Sequence, residues 1–573
     1  MKRKKIISVV LTALIGCSFF GGCGVKEQDD YANKEVIQFS VYNGGYGTKY
    51  AENLAKQFND SRTDNYAIKI IPEKRNGSDI ASEINTGYSN NMGYILSGLD
   101  IMSAVYQDTL EDLSDIVRLK VDGSDKTIED KILRKDTWYD VFKVNNKLYA
   151  LPYSDALAGL QYDHDLFVEK GWYFFAGNSD TTALNQQGIT YHADGSRLIF
   201  DSAIGKTNYK EGDYILSAGK DGKFGTYDDG QPTNIIEWDT MLNKISITAS
   251  PFIWSDYDDY THLLYATVVA QYLGSTGFEQ IFTFDTKGQP LEMQDGSQEV
   301  ITVENGYKVY GAKAIYQALE FLNTYLNTES SPNYTHSICD DNSKNYQDAQ
   351  NLFLLGYLGD QHNKQSAMLI DGSWWENEAR AMFNSIGELD GSRGFGKREY
   401  RMMLLPNFEG QKSDKSVVLT GDTGCIFLKK DKDTNKIRVA KEFIAFLLKD
   451  DSLREFSRMT GSLLAYDYDL TKNDLDALTP YSRNIFEIYS DSDNVEIIRP
   501  LLIENESPLC FATDKKGFYY SMIPKISGAF IYSTTRALRN HGLNVVWDGI
   551  KHAYSATEWN EFILDARGQG FYA

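Results

Sequence analysis

The chain has 573 residues, and 58 Lys and Arg stand against 80 Asp and Glu, which gives a formal net charge of −22. Because no cluster of Lys or Arg lies outside the first five residues, the sequence lacks the basic face that nucleic-acid binding requires. Hydrophobic residues make up 42% and charged residues 24%, which is typical of a globular protein and excludes a disordered tail.

The first segment has the pattern of a secretory signal peptide. Residues 2–5 are all Lys or Arg, and residues 6–22 are apolar apart from a few small polar positions. A basic stretch followed by a short apolar stretch is typical of a signal that is removed on export, so we predict a signal peptide over 1–22. An uncleaved membrane anchor is the alternative, although the apolar stretch is short for a span of about 20 residues.

The end of this signal resembles the lipobox of bacterial lipoproteins, in which small residues precede a cysteine that receives lipid. Gly21 and Gly22 precede Cys23 here, and Phe20 stands where Leu is usual. We therefore expect lipid on Cys23, with Cys17 as the alternative position. Residues 23–34 are then a polar and flexible tether.

The segments that follow alternate between strand and helix patterns. Residues 36–42 and 66–71 are rich in β-branched and aromatic side chains, which predicts two strands. Between them, apolar residues recur at helical spacing over 50–58, and a third apolar run lies at 101–105. This order indicates a mainly parallel sheet covered by helices, which binds ligands at the carboxyl ends of its strands. The glycine-rich loop at 44–47 follows the first strand and belongs to that edge.

Later segments predict an insertion and further helices. Residues 171–232 are rich in Gly, Asp, Asn and Thr, which predicts a hairpin-rich insertion. Helical patterns occur over 260–274, 312–326 and 438–448. No later segment of the sequence is long and apolar enough to cross a bilayer.

An acidic loop within the insertion resembles glycine-rich loops of secreted proteins, some of which hold Ca²⁺. Asp221, Asp228 and Asp229 would supply the oxygen ligands that a hard cation prefers. The spacing lacks the alternating acidic residues of an EF-hand, and Pro232 stands where the bidentate Glu belongs. A plain surface hairpin is therefore the alternative, and no other metal or cofactor is expected.

Several segments, taken in chain order, resemble the extracellular solute-binding proteins of bacterial ABC importers, in their oligosaccharide-binding branch. Residues 148–153 read Leu-Tyr-Ala-Leu-Pro-Tyr, and 159–167 follow the pattern of this family except that Asp163 replaces the usual Asn. The other similar segments are 41–47, 251–254, 371–376, 405–408, 421–424 and 440–448. The similarity extends over residues 35 to about 550.

The resemblance implies an α/β fold of the two-lobed, periplasmic-binding-protein-like type (type II), with a hinge and an interlobe cleft. By this analogy, lobe 1 comprises 35–155 and 415–478, and lobe 2 comprises 156–414 and 479–573. A ligand in the cleft would touch both lobes, so its binding free energy would drive their closure.

In function, the resemblance implies a lipid-anchored binding protein, not an enzyme, on the extracellular face of a bacterial cell membrane. Such a protein captures an oligosaccharide as a monomer and delivers it to the transmembrane subunits of an ABC permease. Two alternatives stay open. A secreted enzyme acting on glycans would also use carboxylates and tryptophans, although the sequence contains no G-x-S-x-G or H-E-x-x-H motif. A ligand-sensing lipoprotein is the other.

A sugar site requires an aromatic plate for the C–H face of the ring, and carboxylates or amides for its hydroxyl groups. From family position and local sequence, the predicted ligand-binding residues are Tyr46, Asp155, Trp254, Trp374, Trp375, Glu376 and Asp422. Trp374 and Trp375 are adjacent, so in an extended segment one would face the ligand and the other the core. Burial in the core is the alternative for every aromatic residue in this set, and capping of a helix is the alternative for the two aspartates.

Overall fold

The computed structural model describes residues 31–568, apart from 32, 76, 98–100, 102–103, 106, 121–124, 134–141, 175–215, 224, 257–259, 359–364 and 501–533. Its strands, in chain order, are β1 Glu35–Tyr42, β2 Tyr66–Glu73, β3 Gly93–Ser97, β4 Lys143–Val144, β5 Lys147–Leu148, β6 Leu151–Asp163, β7 Ser250–Ile253, β8 Pro290–Glu292, β9 Gln298–Val300, β10 Ser366–Gly372, β11 Tyr400–Met403, β12 Ser416–Leu428 and β13 Val495–Ile498.

The α-helices are α1 Lys49–Asp60, α2 Gly77–Asn85, α3 Ser114–Val117, α4 Ile128–Lys131, α5 His164–Lys170, α6 Ile235–Ser246, α7 Thr261–Thr283, α8 Lys313–Tyr325, α9 Tyr346–Leu355, α10 Trp375–Glu378, α11 Arg380–Leu389, α12 Thr434–Leu447, α13 Asp450–Thr460, α14 Lys472–Ala477, α15 Pro480–Ser490, α16 Thr534–His541, α17 Leu543–Lys551 and α18 Ala556–Gly568. Short 3₁₀ helices cover Val303–Gly311, Ser337–Asp340, Gly356–Leu358 and Gly391–Arg393.

One mixed sheet runs through the molecule in the order β2-β1-β3-β12-β6-β10-β7, with β11 also pairing with β6 and β13 with β12. Strand β1 pairs in parallel with both β2 and β3, as the strand–helix–strand pattern predicted. The two long strands β6 and β12 are antiparallel neighbours at the middle of the sheet. The α/β class predicted from the sequence is therefore confirmed.

The first helix forms because its apolar side chains recur on one face. Tyr50, Leu54 and Phe58 follow one another at intervals of four residues and are buried against the sheet. The helices predicted at 312–326 and 438–448 are present as α8 and α12.

The third strand differs from the sequence-based expectation. The third strand is β3, whereas the sequence analysis expected the apolar run at 101–105 to be the third segment of the sheet. In that run, the backbone N–H of Ala104 donates to the carbonyl of Ile101, which closes a turn. Gly93 suits the strand because the Phe39 ring occupies the space that a Cβ would need. Apolar side chains alone did not distinguish a buried turn from a buried strand.

Two separate hydrophobic cores lie along this sheet. One draws its buried residues from 37–153 and 425–466, and the other from 157–419 and from 463–566. Strands β6 and β12 pass from one core to the other, and the pairing register of β12 with β6 shifts between Thr420 and Asp422 and again between Thr423 and Cys425. Such irregularities bend a strand locally. The lobe ranges given above stay a prediction.

Part of the predicted organisation lies outside the described residues. This applies to the signal peptide over 1–22, to Cys17 and Cys23, to most of the tether and to 175–215 of the insertion. In the part of the chain that the structure describes, no helix has both the length and the apolar character of a membrane span.

Candidate functional site

A cavity of about 380 Å³ opens at the carboxyl ends of β1 and β2, between elements of the two cores. Its lining on the side of the first core is Tyr42, Asn43, Gly44, Gly45 and Lys74. Its lining on the side of the second core is Tyr260, His262, Leu263, Tyr346, Trp374 and Glu378, and Gly421 of β12 completes it. The volume lies near the lower end of the range of about 300–1,000 Å³ that small-molecule sites occupy.

Aromatic rings form one wall of this cavity. Trp374 and Tyr260 meet edge to face, with ring centroids 6.2 Å apart, and Tyr260 stacks on Tyr346 at 6.4 Å. These rings present flat apolar faces together with polar edges, which is the combination that a sugar ring requires. Of the predicted aromatic residues, Trp374 is the one that lines the cavity.

Glycines make room for the Trp374 ring. A Cβ on Gly45 would lie 2.5 Å from the Trp374 Cβ, and a Cβ on Gly372 or Gly421 would lie 2.1 Å or 2.9 Å from atoms of the indole. Non-bonded carbon atoms do not approach this closely, so any larger residue at these positions would have to displace the Trp374 ring or its own backbone. Gly45 follows the first strand, whereas Trp374 lies on the side of the second core. The Trp374 ring therefore packs directly against the loop from the other side of the cavity.

A hydrogen bond joins the same two sides. The Asn377 side chain donates from Nδ2 to the backbone carbonyl of Gly45 at 2.7 Å. Asn377 lies in the short helix α10, two residues after Trp375. This helix and the residue before it therefore provide both a ring and an amide that contact the loop after β1.

The carboxylate of Glu378 also lines the cavity. The Gln350 amide donates to Asp371 Oδ2 at 2.9 Å and to Glu378 Oε2 at 2.8 Å. Asp371 is buried, and its Oδ1 accepts the backbone N–H of Gly372 at 2.7 Å. These bonds fix Glu378 at the cavity as an acceptor for ligand hydroxyl groups.

Trp375 and Glu376, both predicted as ligand-binding, lie in the second core and not in the cavity. Trp375 is fully buried and packs edge to face against Phe353, Tyr400 and Tyr481. The two adjacent tryptophans thus point to opposite sides, as the sequence predicted, although the segment is a helix start and not an extended strand.

Glu376 is buried within the same region. Its Oε2 accepts the Thr479 hydroxyl at 2.6 Å, and within the described part of the chain no group donates to its Oε1. Burial raises the pKa of Glu376 to about 7, against the smaller lowering effects of Thr479 and Arg380. This carboxyl group is therefore a buried group outside the cavity lining.

Asp155 and Trp254 also serve structural roles. Asp155 is buried and forms an ion pair with Arg499, and Tyr489 donates its hydroxyl to Asp155 Oδ2 at 2.7 Å. The helix-cap alternative does not describe it either, because it lies within β6. Trp254 is fully buried in the second core, so its core alternative holds.

Tyr46 and Asp422 lie close to the cavity in the chain. Tyr46 is partly buried and its ring meets Phe456 of the first core at 5.6 Å, which turns it toward that core. Asp422 lies in β12 opposite Ala156 and directly follows Gly421 of the cavity lining, while its side chain is outside the described part. For Asp422 the ligand contact stays a prediction.

The acidic loop forms a tight turn whose carboxylates bind backbone N–H groups. Asp228 accepts from the N–H groups of Lys220 at 2.6 Å and Asp221 at 3.1 Å, and Asp229 accepts from Gly225 at 2.7 Å. Burial, with a smaller contribution from Asp221, raises the pKa of the Asp228 carboxyl. The bonds suit the hairpin alternative, and calcium binding stays a prediction.

One further set of possible metal ligands lies away from the cavity. Atoms of His164, Asp165 and Glu399 come within 4.8 Å of one another. Arg401 forms an ion pair with Glu399 at 2.5 Å, and Arg398 lies 3.9 Å from Asp165. Two guanidinium groups therefore already neutralise the carboxylates that a cation would need.

The sequence analysis did not identify five of the polar and aromatic residues that line the cavity. Lys74 follows the second strand, Tyr260 and His262 stand at the start of α7, and Tyr346 and Glu378 belong to α9 and α10. Lys74 could have been found from the sequence, because it lies three residues beyond the predicted end of a strand parallel to the first. The others come from distant segments that only the fold brings together.

Comparison with known proteins supports the same architecture. No protein-family model and no curated protein sequence matches the chain. Among solved structures, a probable secreted solute-binding lipoprotein from Streptomyces coelicolor is 10% identical and aligns with a TM-score of 0.53, covering 91% of this chain and 99% of its own. Apo RafE from Streptococcus pneumoniae is 13% identical, with a TM-score of 0.51 and coverages of 91% and 97%.

A third structure is a Streptococcus pneumoniae solute-binding protein in complex with the blood group A-trisaccharide. It is 13% identical to this chain, with a TM-score of 0.51 and coverages of 90% and 99%. Similarity at such identities shows the fold. The chain thus has the two-lobed α/β fold of bacterial solute-binding proteins, as its sequence predicted.

Proposed function

We propose that the chain is the substrate-binding component of a carbohydrate importer, which captures an oligosaccharide between its two lobes. The observation that carries this proposal is the composition of the cavity. Aromatic rings at Trp374 and Tyr260 and the anchored carboxylate of Glu378 line the same cavity, together with the loop after β1. A stacking surface combined with hydroxyl acceptors is the chemistry that saccharides require.

The solved structures support a saccharide as the ligand class. One of the similar proteins is described with raffinose, another with the blood group A-trisaccharide, and a third as a chitin oligosaccharide binding protein. The Cys23 lipobox supports a lipid anchor on the extracellular face of a bacterial membrane. Delivery to the transmembrane subunits of an ABC permease completes the proposal, and no bond in the ligand is broken.

A ligand screen on the purified protein tests this function. We expect a raised melting temperature with members of a panel of α- and β-linked di- to hexasaccharides, because a ligand that binds only the folded state stabilises it. Trp374→Ala removes the stacking ring and should abolish the shift, whereas Tyr88→Ala, at a residue that is 80% exposed and outside the cavity, should leave it unchanged.

Two outcomes would contradict the proposal. Saccharide binding retained in Trp374→Ala, with the fold verified by circular dichroism, would show that the cavity is not the site. Chromatography of the incubated saccharides checks for reaction products. Turnover of any saccharide at enzymatic rates would contradict the binding-protein proposal and support the alternative, a glycan-active enzyme.

A further inference from the structure

Lys74 stands at the rim of the cavity because of how β1 and β2 end. The backbone N–H of Asn43 donates to the carbonyl of Glu73 at 2.6 Å, which holds the two strand ends side by side. Lys74 is the next residue after Glu73, so its exposed side chain lines the cavity beside Asn43. This is the edge at which parallel strands place ligand-binding groups.

Arg75, the cation next to Lys74, is paired with carboxylates. Arg75 forms ion pairs with Glu73 at 2.7 Å and with Glu83 at 2.6 Å, and these bonds occupy its guanidinium group. Within the residues that the structure describes, no carboxylate oxygen lies within 4.0 Å of the Lys74 ammonium group. Arg75 is therefore neutralised by carboxylates of the protein itself, whereas the adjacent Lys74 presents its charge to the cavity.

The side of the cavity formed by the second core adds further polar groups. His262 contributes a ring nitrogen there, and the carboxylate of Glu378 is fixed by its bond to Gln350. The cavity therefore contains both a cation that attracts an anion and a carboxylate that accepts hydroxyl groups. The net charge of −22 repels anions at long range, but salt screens that repulsion beyond about 8 Å, so the adjacent ammonium group dominates.

We infer that the cavity selects saccharides that carry an anionic group, a carboxylate or a sulfate, with the anion at Lys74 and the hydroxyl groups at Glu378. This inference rests on the proposed function and specifies its ligand class. Lys74 is then the residue that determines specificity, because its ammonium group forms an ion pair only with the anionic ligand.

Titration calorimetry with matched ligands tests this inference. The probes are trimers of galacturonate, glucuronate and mannuronate and a sulfated galactose trimer, each compared with the neutral trimer of the parent sugar. We expect at least one anionic trimer to bind about tenfold tighter than its neutral counterpart, and Lys74→Met to remove that advantage. Lys74→Arg should retain most of it.

Lys69→Met is the matched control, because Lys69 is an exposed residue of β2 outside the cavity and its loss changes the net charge equally. It should leave both ligand classes unaffected. Neutral trimers that bind as tightly as anionic ones, or an equal loss for both classes in Lys74→Met, would overturn the inference and leave the proposed function intact. Failure of every saccharide to bind would overturn both. The uronate and sulfate arms identify the anion.

Discussion

Glu376 is a buried carboxyl group next to residues of both the second core and the cavity. It is 3% exposed, and it lies in α10 between the core residue Trp375 and the interlobe residue Asn377. Arg380 is the cation that faces it, and the buried rings of Tyr400 and Tyr481 are the other titratable groups nearby. Because burial raises the pKa to about 7, its charged form is disfavoured in the folded protein.

The stability of the protein should therefore contain a pH-dependent contribution from Glu376. The folded protein binds this proton more tightly than the unfolded chain, so the contribution is complete below the unfolded pKa of about 4.5. It is lost progressively as the pH rises to about 7, and the loss amounts to about 3 kcal/mol at most. Glu376→Gln resembles the protonated form and should remove this slope.

Urea unfolding at pH 5 and pH 8 measures the effect as a difference between variants, which cancels other titrating groups. Glu376→Gln should lose less stability than the wild type between these two values. Glu388→Gln, at an exposed position of α11, serves as the control and should follow the wild type. Identical pH profiles for the wild type and Glu376→Gln would show that the carboxyl group is solvated.

At the scale of elements, the short helix α10 and the residue before it perform three tasks. Trp374 faces the cavity, Trp375 fills the second core and Asn377 bonds to the loop after β1. A helix of four residues gains little stability from its own hydrogen bonds, so these contacts must hold it in place. A displacement of this helix therefore alters the cavity and the contact between the lobes together.

Gly45→Ala tests this arrangement directly. The new Cβ would lie 2.5 Å from the Trp374 Cβ, so the loop and the ring must move apart. We expect the saccharide affinity to fall at least about tenfold, since the displaced ring loses its stacking geometry. Gly391→Ala is the control, because a Cβ there meets no atom within 4 Å. Unchanged saccharide affinity in Gly45→Ala, measured by calorimetry, would contradict the proposal that the Trp374 ring, packed against Gly45, stacks on the ligand.

The elements also show what the sequence can and cannot predict. Strands β1 and β2 and helix α1 follow from local periodicity, and the adjacent Trp374 and Trp375 were expected to face opposite sides. The burial of Trp254 was not predictable, because a tryptophan after a buried strand fits a core as well as a cleft. Glu378 required the fold, since its contact Gln350 lies 28 residues away in the chain.

At the scale of the whole molecule, β6 and β12 are the continuous connections between the two cores. Each strand has 13 residues, and their antiparallel pairing crosses from one core to the other. The chain passes between the cores a third time, after Tyr466 of the first core and before Tyr481 of the second. In the described part of the chain, three connections of this kind favour a hinge motion of one lobe relative to the other.

Small-angle X-ray scattering should detect this motion. We expect the radius of gyration to decrease when a saturating saccharide is added, because a ligand that contacts both lobes favours the closed arrangement. Trp374→Ala should show no decrease at the same saccharide concentration. A radius that stays constant in the wild type, at a concentration that calorimetry shows to be saturating, would contradict ligand-driven closure.

The shifted register of β12 between Thr420 and Cys425 has a consequence for the affinity of the proposed ligand. It interrupts the regular pairing of β12 with β6 in a few peptide units next to Gly421, between the two cores. The apparent affinity equals the intrinsic affinity multiplied by the fraction of molecules in the competent arrangement. Substitutions in these units should therefore change the apparent affinity through the balance of open and closed arrangements, in addition to any direct effect that Gly421 and Asp422 have at the cavity.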